Sequence, residues 1–351
     1  MKYLLVLAFL FAQFTFADFN TTLITDRLER PWGLAFLPDG RYLVTERVGR
    51  LRIVDNKGKI SAAVTGLPDI SVVGQGGLLD VVLHPDFSSN QWIYLSYAAG
   101  SDGKYNTEVV RAQLVNNALI NTQKIFTALP KVSGGRHFGS RLVFDNAGYL
   151  YISLGDRGQR QQSQNLQSHH GSVIRLHDDG RIPEDNPFAN QPDSLPEIYS
   201  YGHRNIQGMA LHPKTGEVWA HEHGPQGGDE INIVVKGSNY GWPVITYGAE
   251  YGSGFKIGEG TQKAGMKQPV YFWDPSIAPS GMAFYKDDLL VGALKFQLLS
   301  RLKIKGEAVI KEDRLFARQF GRVRDVKISP SGNIYLLTDA NRGRLVKLTA
   351  Q

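Results

Sequence analysis

Along most of this chain, apolar and polar residues alternate with a period of two, in short runs broken by turn residues. That period puts successive side chains on opposite faces of an extended strand. One phrase recurs. A glycine or another small residue opens it, and two or three apolar residues in alternation follow. Next comes a turn of Asp, Asn, Ser or Gly, often with Pro, and then an aromatic-rich alternating run. The copies are GLAFLPDGRYLVTE from Gly33, GLLDVVLHPDFSSNQWIYLSYA from Gly77, SRLVFDNAGYLYISLGD from Ser140, QGMALHPKTGEVWAHEHG from Gln207, SGMAFYKDDLLVGAL from Ser280 and RDVKISPSGNIYLLTD from Arg324. Each predicts two strands around a tight turn. Pro38-Asp39-Gly40, Asn146-Ala147-Gly148 and Pro330-Ser331-Gly332 supply residues suited to fixed or positive φ.

A further strand follows several copies, as in GRLRIVD from Gly49 and GRLVKLT from Gly343. Each unit therefore predicts a four-stranded antiparallel sheet. Six units of about 55 residues each lie a little above the usual blade repeat. The expected fold is all-β: a six-bladed β-propeller of four-stranded antiparallel blades, formed by residues 18–351 as one domain. A single blade cannot bury both faces, whereas radial packing does. A large β-sandwich is the competing architecture, and six near-equivalent hairpins disfavour it. The stretches near residues 100–130 and 155–200 are rich in Asn, Gln, Ser and Gly, and read as long loops. Loops on a rigid β scaffold are the usual place for a site.

Met1 to Ala17 breaks the pattern. Lys2 precedes an apolar run from Tyr3 to Ala12, and small residues lie near Ala17. This is the form of a secretory signal peptide cleaved near Ala17, so the mature protein is expected to be exported, periplasmic or secreted. The run is shorter than the roughly 20 residues of a spanning helix, and no comparable run follows, so no membrane span is expected. The absence of Cys excludes a thiol nucleophile, a Cys-ligated zinc site, an iron–sulfur cluster and a disulfide framework. Lys and Arg number 39 against 33 Asp and Glu, a formal charge of +6. The charge is scattered, without a basic run, so no nucleic-acid partner is expected.

Polar residues cluster after the predicted inner strands. Loops from one rim of a propeller converge on its central channel, so distant segments can meet there. Those segments hold Gly74 to Gly77, Gly134 to His137, Gly155 to Arg157, Gly202 to Asn205, His221 to Pro225, Leu294-Lys295 and Arg322 to Arg324. Arg204, Lys295, Arg322 and Arg324 make the set basic. Guanidinium forks match carboxylates and phosphates. Two readings of these cations stand side by side: a compact ligand with several carboxylates, and ordinary ion pairs between blades. Arg322 and Arg324, two apart on a strand, would face one way.

Other polar groups read more plainly. His221 and His223 flank Glu222, but no third ligand at a recognisable spacing supports zinc. His169 and His170 lie in a Gln/Ser-rich stretch and are expected to be exposed. His84 and His212 each precede Pro and are expected to pack turns. The five Trp, Trp32 and Trp242 among them, are expected to pack between blades.

The phrases GQGGLLDVVLHPDF, GGRHFGSRLVF, YISLGDRG, GHRNIQGMALHP, HEHGPQGGDEIN, DPSIAPSGMAFY and FGRVRDVKISPSGNIYLLTD span Trp32 to the C-terminus. In them the chain resembles the soluble pyrroloquinoline quinone (PQQ)-dependent aldose sugar dehydrogenases, the soluble glucose/sorbosone dehydrogenase type. The resemblance implies a six-bladed propeller that oxidises aldose sugars at C1 to lactones, with PQQ and Ca2+ as cofactors. It places His137 as the general base for the anomeric hydroxyl while hydride leaves C1 for the quinone. It places Arg204 as a catalytic group over the cofactor face, with Asn205. Gln75 would touch both cofactor and sugar. Lys295, Arg322 and Arg324 would clamp the cofactor carboxylates. Asp156, Gln161 and Tyr271 would lie toward the sugar, and Tyr251 toward the cofactor. Calcium would take the backbone carbonyls of Gly224 and Pro225, and a second ion would take Glu230 with the carbonyl of Tyr240. Electrons would pass to an external acceptor.

The chain also departs from the family. Arg136 stands where the glucose dehydrogenase branch has an acidic residue before its catalytic His, and Phe138 replaces a polar residue after it. Insertions that support dimer contacts in that branch are missing. A broad aldose range and a monomer are therefore expected. Two rival functions remain in view. A calcium-dependent lactonase-like hydrolase would need several carboxylate and Asn ligands in the channel. A non-catalytic ligand-binding propeller would need no base beside the Arg cluster.

Overall fold

Each of the six repeat copies forms the first hairpin of its own antiparallel sheet. The computed structural model describes residues 19–351, so the expected signal peptide lies outside the described residues. The first strands of the sheets are Pro31–Phe36, Leu78–Leu83, Leu142–Phe144, Ile206–Leu211, Pro279–Tyr285 and Val323–Ile328. Each touches the first strand of the next sheet, and the last touches the first, closing a ring. The fold is a six-bladed β-propeller, nearly all β among the described residues. No described helix is long and apolar enough to cross a membrane.

Five blades are four-stranded. The first has three strands, Pro31–Phe36, Tyr42–Glu46 and Arg50–Val54. Its outer edge is followed by Asp55 to Gly77, a segment tied down by single bridges such as Val54 to Ile60. In the sixth blade the fourth strand comes from the other end of the chain. Phe19–Leu28 pairs with Gly343–Ala350, with Phe19 opposite Ala350 and Leu28 opposite Gly343. This pairing joins the two ends of the chain within one blade and so locks the ring shut. Leu28 is fully buried against Leu34, Val44 and Leu345. The apolar clusters lie between blades: Leu43, Leu51, Leu78, Ile93 and Leu95 combine residues of the first two.

The stretch near residues 100–130 is not a long loop. It holds the strands Lys104–Val115 and Ala118–Thr127, the outer half of the second blade. The outermost strand, ALINTQKIFT, exposes most of its middle, so its polar composition hides its conformation. Residues 155–200 are irregular for much of their length, but they carry the strands Val173–Leu176 and Ile198–Ser200 and a short 3-10 turn at Arg160–Gln164. His169 and His170, expected at the surface, are 2% and 1% exposed. His169 bridges the backbone N–H of Leu129 and the carboxylate of Glu197, and His170 meets the carbonyl of Pro130. A loop that crosses a blade top is buried when its polar groups find such partners. His84 and His212 do serve turns: their Nδ1 atoms accept the N–H groups of Asp86 and of Lys214 and Thr215.

Candidate active site

Antiparallel hairpins bring the start of each first strand and the end of each second strand to the same rim. The polar phrases found in the sequence sit at that rim. Around the axis they enclose a cavity of about 290 Å³. Its wall includes Gln75, Asn205, Gln207, His223, Arg322 and Arg324, with Trp32 and Phe138 as apolar faces.

His137 and Asp156 meet beside this cavity. Nδ1 of His137 lies 2.6 Å from Oδ1 of Asp156. Asp156 is 1% exposed. Its other oxygen accepts the indole N–H of Trp242 at 2.9 Å, and Oδ1 also accepts the N–H of Gly158 at 2.7 Å. Burial opposes its charge, but the His137 bond, the Gly158 N–H and the Arg204 cation prevail and hold the carboxyl below its usual range. Burial pushes the His137 imidazole down and outweighs the upward pull of Asp156. A neutral His137 beside an ionised Asp156 donates from Nδ1 and leaves the Nε2 lone pair free. The backbone supports this placement: His137 has φ 55° and its N–H donates to Oε1 of Gln75 at 2.7 Å.

Arg204 is 8% exposed. Its Nη1 donates to the carbonyl of His223 at 3.0 Å, its N–H donates to Glu222, and the guanidinium lies 5.3 Å from the Trp242 ring centre. Its Nε has no partner. Asn205 is buried, and its Oδ1 accepts the N–H of Gly139 at 3.3 Å. His223 donates from Nε2 to the carbonyl of Pro279 at 2.6 Å. Burial pushes its imidazole down to about 3, so it is neutral.

Arg322 and Arg324 converge on one atom. Oδ2 of Asp339 accepts from Nη2 of Arg322 at 3.1 Å and from Nη2 of Arg324 at 3.0 Å. Burial disfavours the charge of Asp339, and the two cations overcome it and hold its carboxyl below the usual range. Arg324 also reaches Oε1 of Gln207 at 3.4 Å, and its Nε has no partner.

A second, much smaller gap of about 10 Å³ lies between Arg204, Glu222, Gly224, Glu230, Tyr240 and Trp242. Glu222 accepts from Nδ1 of His203 at 2.8 Å, and the His203 ring stacks on Tyr240 at 4.3 Å. Burial and the neighbouring Glu222 push the Glu230 carboxyl well up. Gly224 donates its N–H to Oδ1 of Asp229 at 2.9 Å. Among the described residues no three His, Asp or Glu gather in a metal-binding group.

The structure thus gathers Gln75, Asn205, Arg322 and Arg324 around one cavity, His137, Asp156 and Arg204 beside it, and Gly224, Glu230 and Tyr240 around the small gap. Four expected residues stand apart. The Lys295 ammonium lies 5.4 Å from the Phe296 ring centre on an exposed turn, and only its neighbour Leu294 lines the cavity. Gln161 is exposed on the 3-10 turn. Tyr251 is 67% exposed. Tyr271 sits on the outer strand of the fourth blade and packs edge-on against Trp273 at 5.1 Å.

Trp32 and Trp242, expected only to pack between blades, belong to this region, as a cavity wall and as the donor to Asp156. Asp339 and Gln207 were not anticipated, and His223 lies in a segment expected at this rim but with no role in the site. A signal for Asp339 was present. Copies one, three, four and six of the repeat reach an acid at the end of the second strand or just beyond it, namely Glu46, Asp156, Glu222 and Asp339, and all four reach this rim.

The profile of the Glucose / Sorbosone dehydrogenase family matches residues 28–347. Aldose sugar dehydrogenase YliI of Escherichia coli (strain K12) is 46% identical over 347 residues, covering 95% of this chain and 93% of that one. The crystal structure of the soluble aldose sugar dehydrogenase of Escherichia coli in the apo-form superimposes with a TM-score of 0.92 at 45% identity, covering 95% of this chain and 100% of that one. The PQQ-bound aldose sugar dehydrogenase of Streptomyces coelicolor gives a TM-score of 0.79 at 29% identity, covering 95% and 99%. With the profile spanning nearly the whole propeller, the chain belongs to the glucose/sorbosone dehydrogenase family and is a sugar dehydrogenase.

Proposed function

We propose that this protein oxidises aldoses at C1 to lactones with PQQ and Ca2+ as cofactors, and that the electrons leave to an external acceptor. In this reading it is exported to the periplasm or beyond and works as a monomer. The observation that carries the reading is the 2.6 Å contact between His137 and Asp156 at the edge of a cationic cavity.

The residues present fit the cofactors. The buried Nε atoms of Arg204 and Arg324 lack partners, and an anion with several carboxylates would satisfy such groups. Arg322, Arg324, Gln75 and Asn205 would hold it. The crowded acids Glu222 and Glu230 lie where a cation would relieve their repulsion. Carbonyl and carboxylate oxygens suit a hard ion, so Gly224 and Pro225 would hold one calcium, and Glu230 with Tyr240 another. When bound, PQQ supplies the carbonyl carbon that accepts hydride, and calcium polarises that carbonyl as a Lewis acid.

The chain's own groups do the rest. Asp156 fixes the imidazole through Nδ1 and so leaves Nε2 of His137 free as a proton acceptor beside the cavity. That atom takes the proton of the anomeric hydroxyl. Asp156 therefore acts as an orienting carboxylate rather than as a sugar contact. Arg204 faces the growing negative charge with a desolvated guanidinium. Gln75 holds the His137 backbone and lines the cavity, so it links base and ligand. A lactonase-like site finds no support on the axis, where Arg141 stands between Asp80 and Asp325.

The deciding experiment strips the protein with EDTA, titrates it with PQQ and calcium, and follows dye reduction with a panel of aldoses. Saturation near one PQQ per chain with a calcium requirement is expected. Absence of PQQ binding would overturn the reading.

A further inference from the structure

Beneath the cavity the six first strands present equivalent positions to the axis. These are the residues just before Leu34, Val81, Leu142, Met209, Met282 and Val326, each of which pairs with the second strand of its blade. The six residues are Gly33, Asp80, Arg141, Gly208, Gly281 and Asp325. The repeat thus places two acids, one cation and three glycines on a single ring. A Cβ on Gly33 would meet Oδ1 of Asp80, and one on Gly281 would meet Oδ1 of Asp325. The glycines make room for the charges.

Arg141 occupies the centre of this ring and is 2% exposed. Its Nη1 lies 3.2 Å from Oδ1 of Asp80 and 3.0 Å from Oδ1 of Asp325. Its Nε donates to the carbonyl of Gln207 at 2.7 Å, and its Nη2 donates to the carbonyl of Arg324 at 3.2 Å. The guanidinium stacks on Trp32 with 4.0 Å to the ring centre. Trp32, Gln207 and Arg324 all line the cavity. The Asp pair is held in turn: Asp80 accepts the N–H of Leu142 at 2.9 Å, and Asp325 accepts that of Leu34 at 3.1 Å. One buried planar cation thus contacts three cavity walls contributed by the first, fourth and sixth blades.

We propose that Arg141 is a positioning residue that sets the cavity floor through Trp32, Gln207 and Arg324. The planar fork is what the role requires. It reaches two carboxylates and two carbonyls at once and offers a flat face to the indole, whereas an ammonium does none of this together. Asp80 and Asp325 keep the cation from being buried unpaired. The choice of PQQ as probe rests on the function proposed above, while the claim about position does not.

The test compares wild type and Arg141→Lys by crystal structure of the apo protein and by PQQ titration. The blades are expected to superimpose while Trp32, Gln207 and Arg324 shift. The PQQ dissociation constant is expected to rise about tenfold or more, the usual scale for losing a supporting contact, with kcat at saturating PQQ changed less than about threefold. Unmoved side chains, or unchanged PQQ affinity, would overturn the proposal. If Arg141→Lys does not fold, the isosteric Asp80→Asn removes half of the carboxylate pair and answers to the same two readouts. If wild type takes up no PQQ, the proposed function fails, and the apo structures alone decide whether Arg141 positions the floor.

Discussion

Asp156 holds the ring of His137 through a 2.6 Å contact between Oδ1 and Nδ1, and the same carboxylate takes the indole N–H of Trp242. The strand–turn–strand repeat delivers both partners. Asp156 follows the second strand of the third blade, and His137 precedes its first strand. The two ends of a hairpin meet at the rim because the strands run antiparallel.

Replacing His137 by Ala removes the proton acceptor but leaves the cationic wall. Turnover is expected to fall about 100- to 10,000-fold, the usual worth of a general base. PQQ affinity, read by titration, should stay within about threefold of wild type. Unchanged turnover would remove His137 from the mechanism.

The imidazole of His137 titrates below its ordinary value because burial outweighs the pull of Asp156. The base works when neutral, so the acid limb of kcat/KM is expected to lie below the ordinary imidazole value, with kcat/KM flat at higher pH. Asp156 raises the imidazole, so Asp156→Asn should move that acid limb to lower pH. The same variant should also lower kcat, because the ring loses its orienting carboxylate. A limb that stays in place would mean that another group titrates.

Arg324 is 9% exposed, and its Nε has no partner. Arg324→Gln deletes one charge-assisted contact to an anionic ligand, worth about 1.5–3 kcal/mol. The PQQ dissociation constant should rise about 10- to 150-fold, the equivalent of that energy. Isothermal titration decides the matter, and equal affinity would show that the clamp lies elsewhere.

Calcium binding at Glu230 should appear without any substrate. Adding calcium to the stripped protein is expected to raise Tm, because a ligand bound only by the native state stabilises it. Glu230→Gln should lose part of that gain. An equal gain in the variant would remove Glu230 from the ion site.

Leu28 closes the ring at its seam with no exposed surface. Leu28→Ala leaves a cavity between the first and sixth blades and should cost about 2–5 kcal/mol in urea unfolding. A cost near zero would mean that the Phe19–Leu28 strand is not what holds the propeller shut.

The sequence carried the fold far because a propeller repeats one local rule six times. GLAFLPDGRYLVTE and its five relatives each specify a hairpin through alternation and turn chemistry, and neighbours alone bury it. Outer strands were harder to see. Ala118–Thr127 is polar along much of its length, since an edge strand faces solvent. His169 looked exposed for a similar reason. Its neighbours in sequence are polar, and its partners Leu129 and Glu197 come from elsewhere.

By itself the sequence determined the hairpins, the number of blades, the absence of thiol chemistry and the set of polar phrases that share a rim. Only the tertiary structure decided that Phe19–Leu28 completes the last blade, that Trp242 supports Asp156, and that Asp339 gathers Arg322 and Arg324. Alternation and turns act over a few residues, so they are written locally. Contacts across the axis, such as Arg141 with Asp80 and Asp325, exist only once six blades close and burial forces each charge to find a partner.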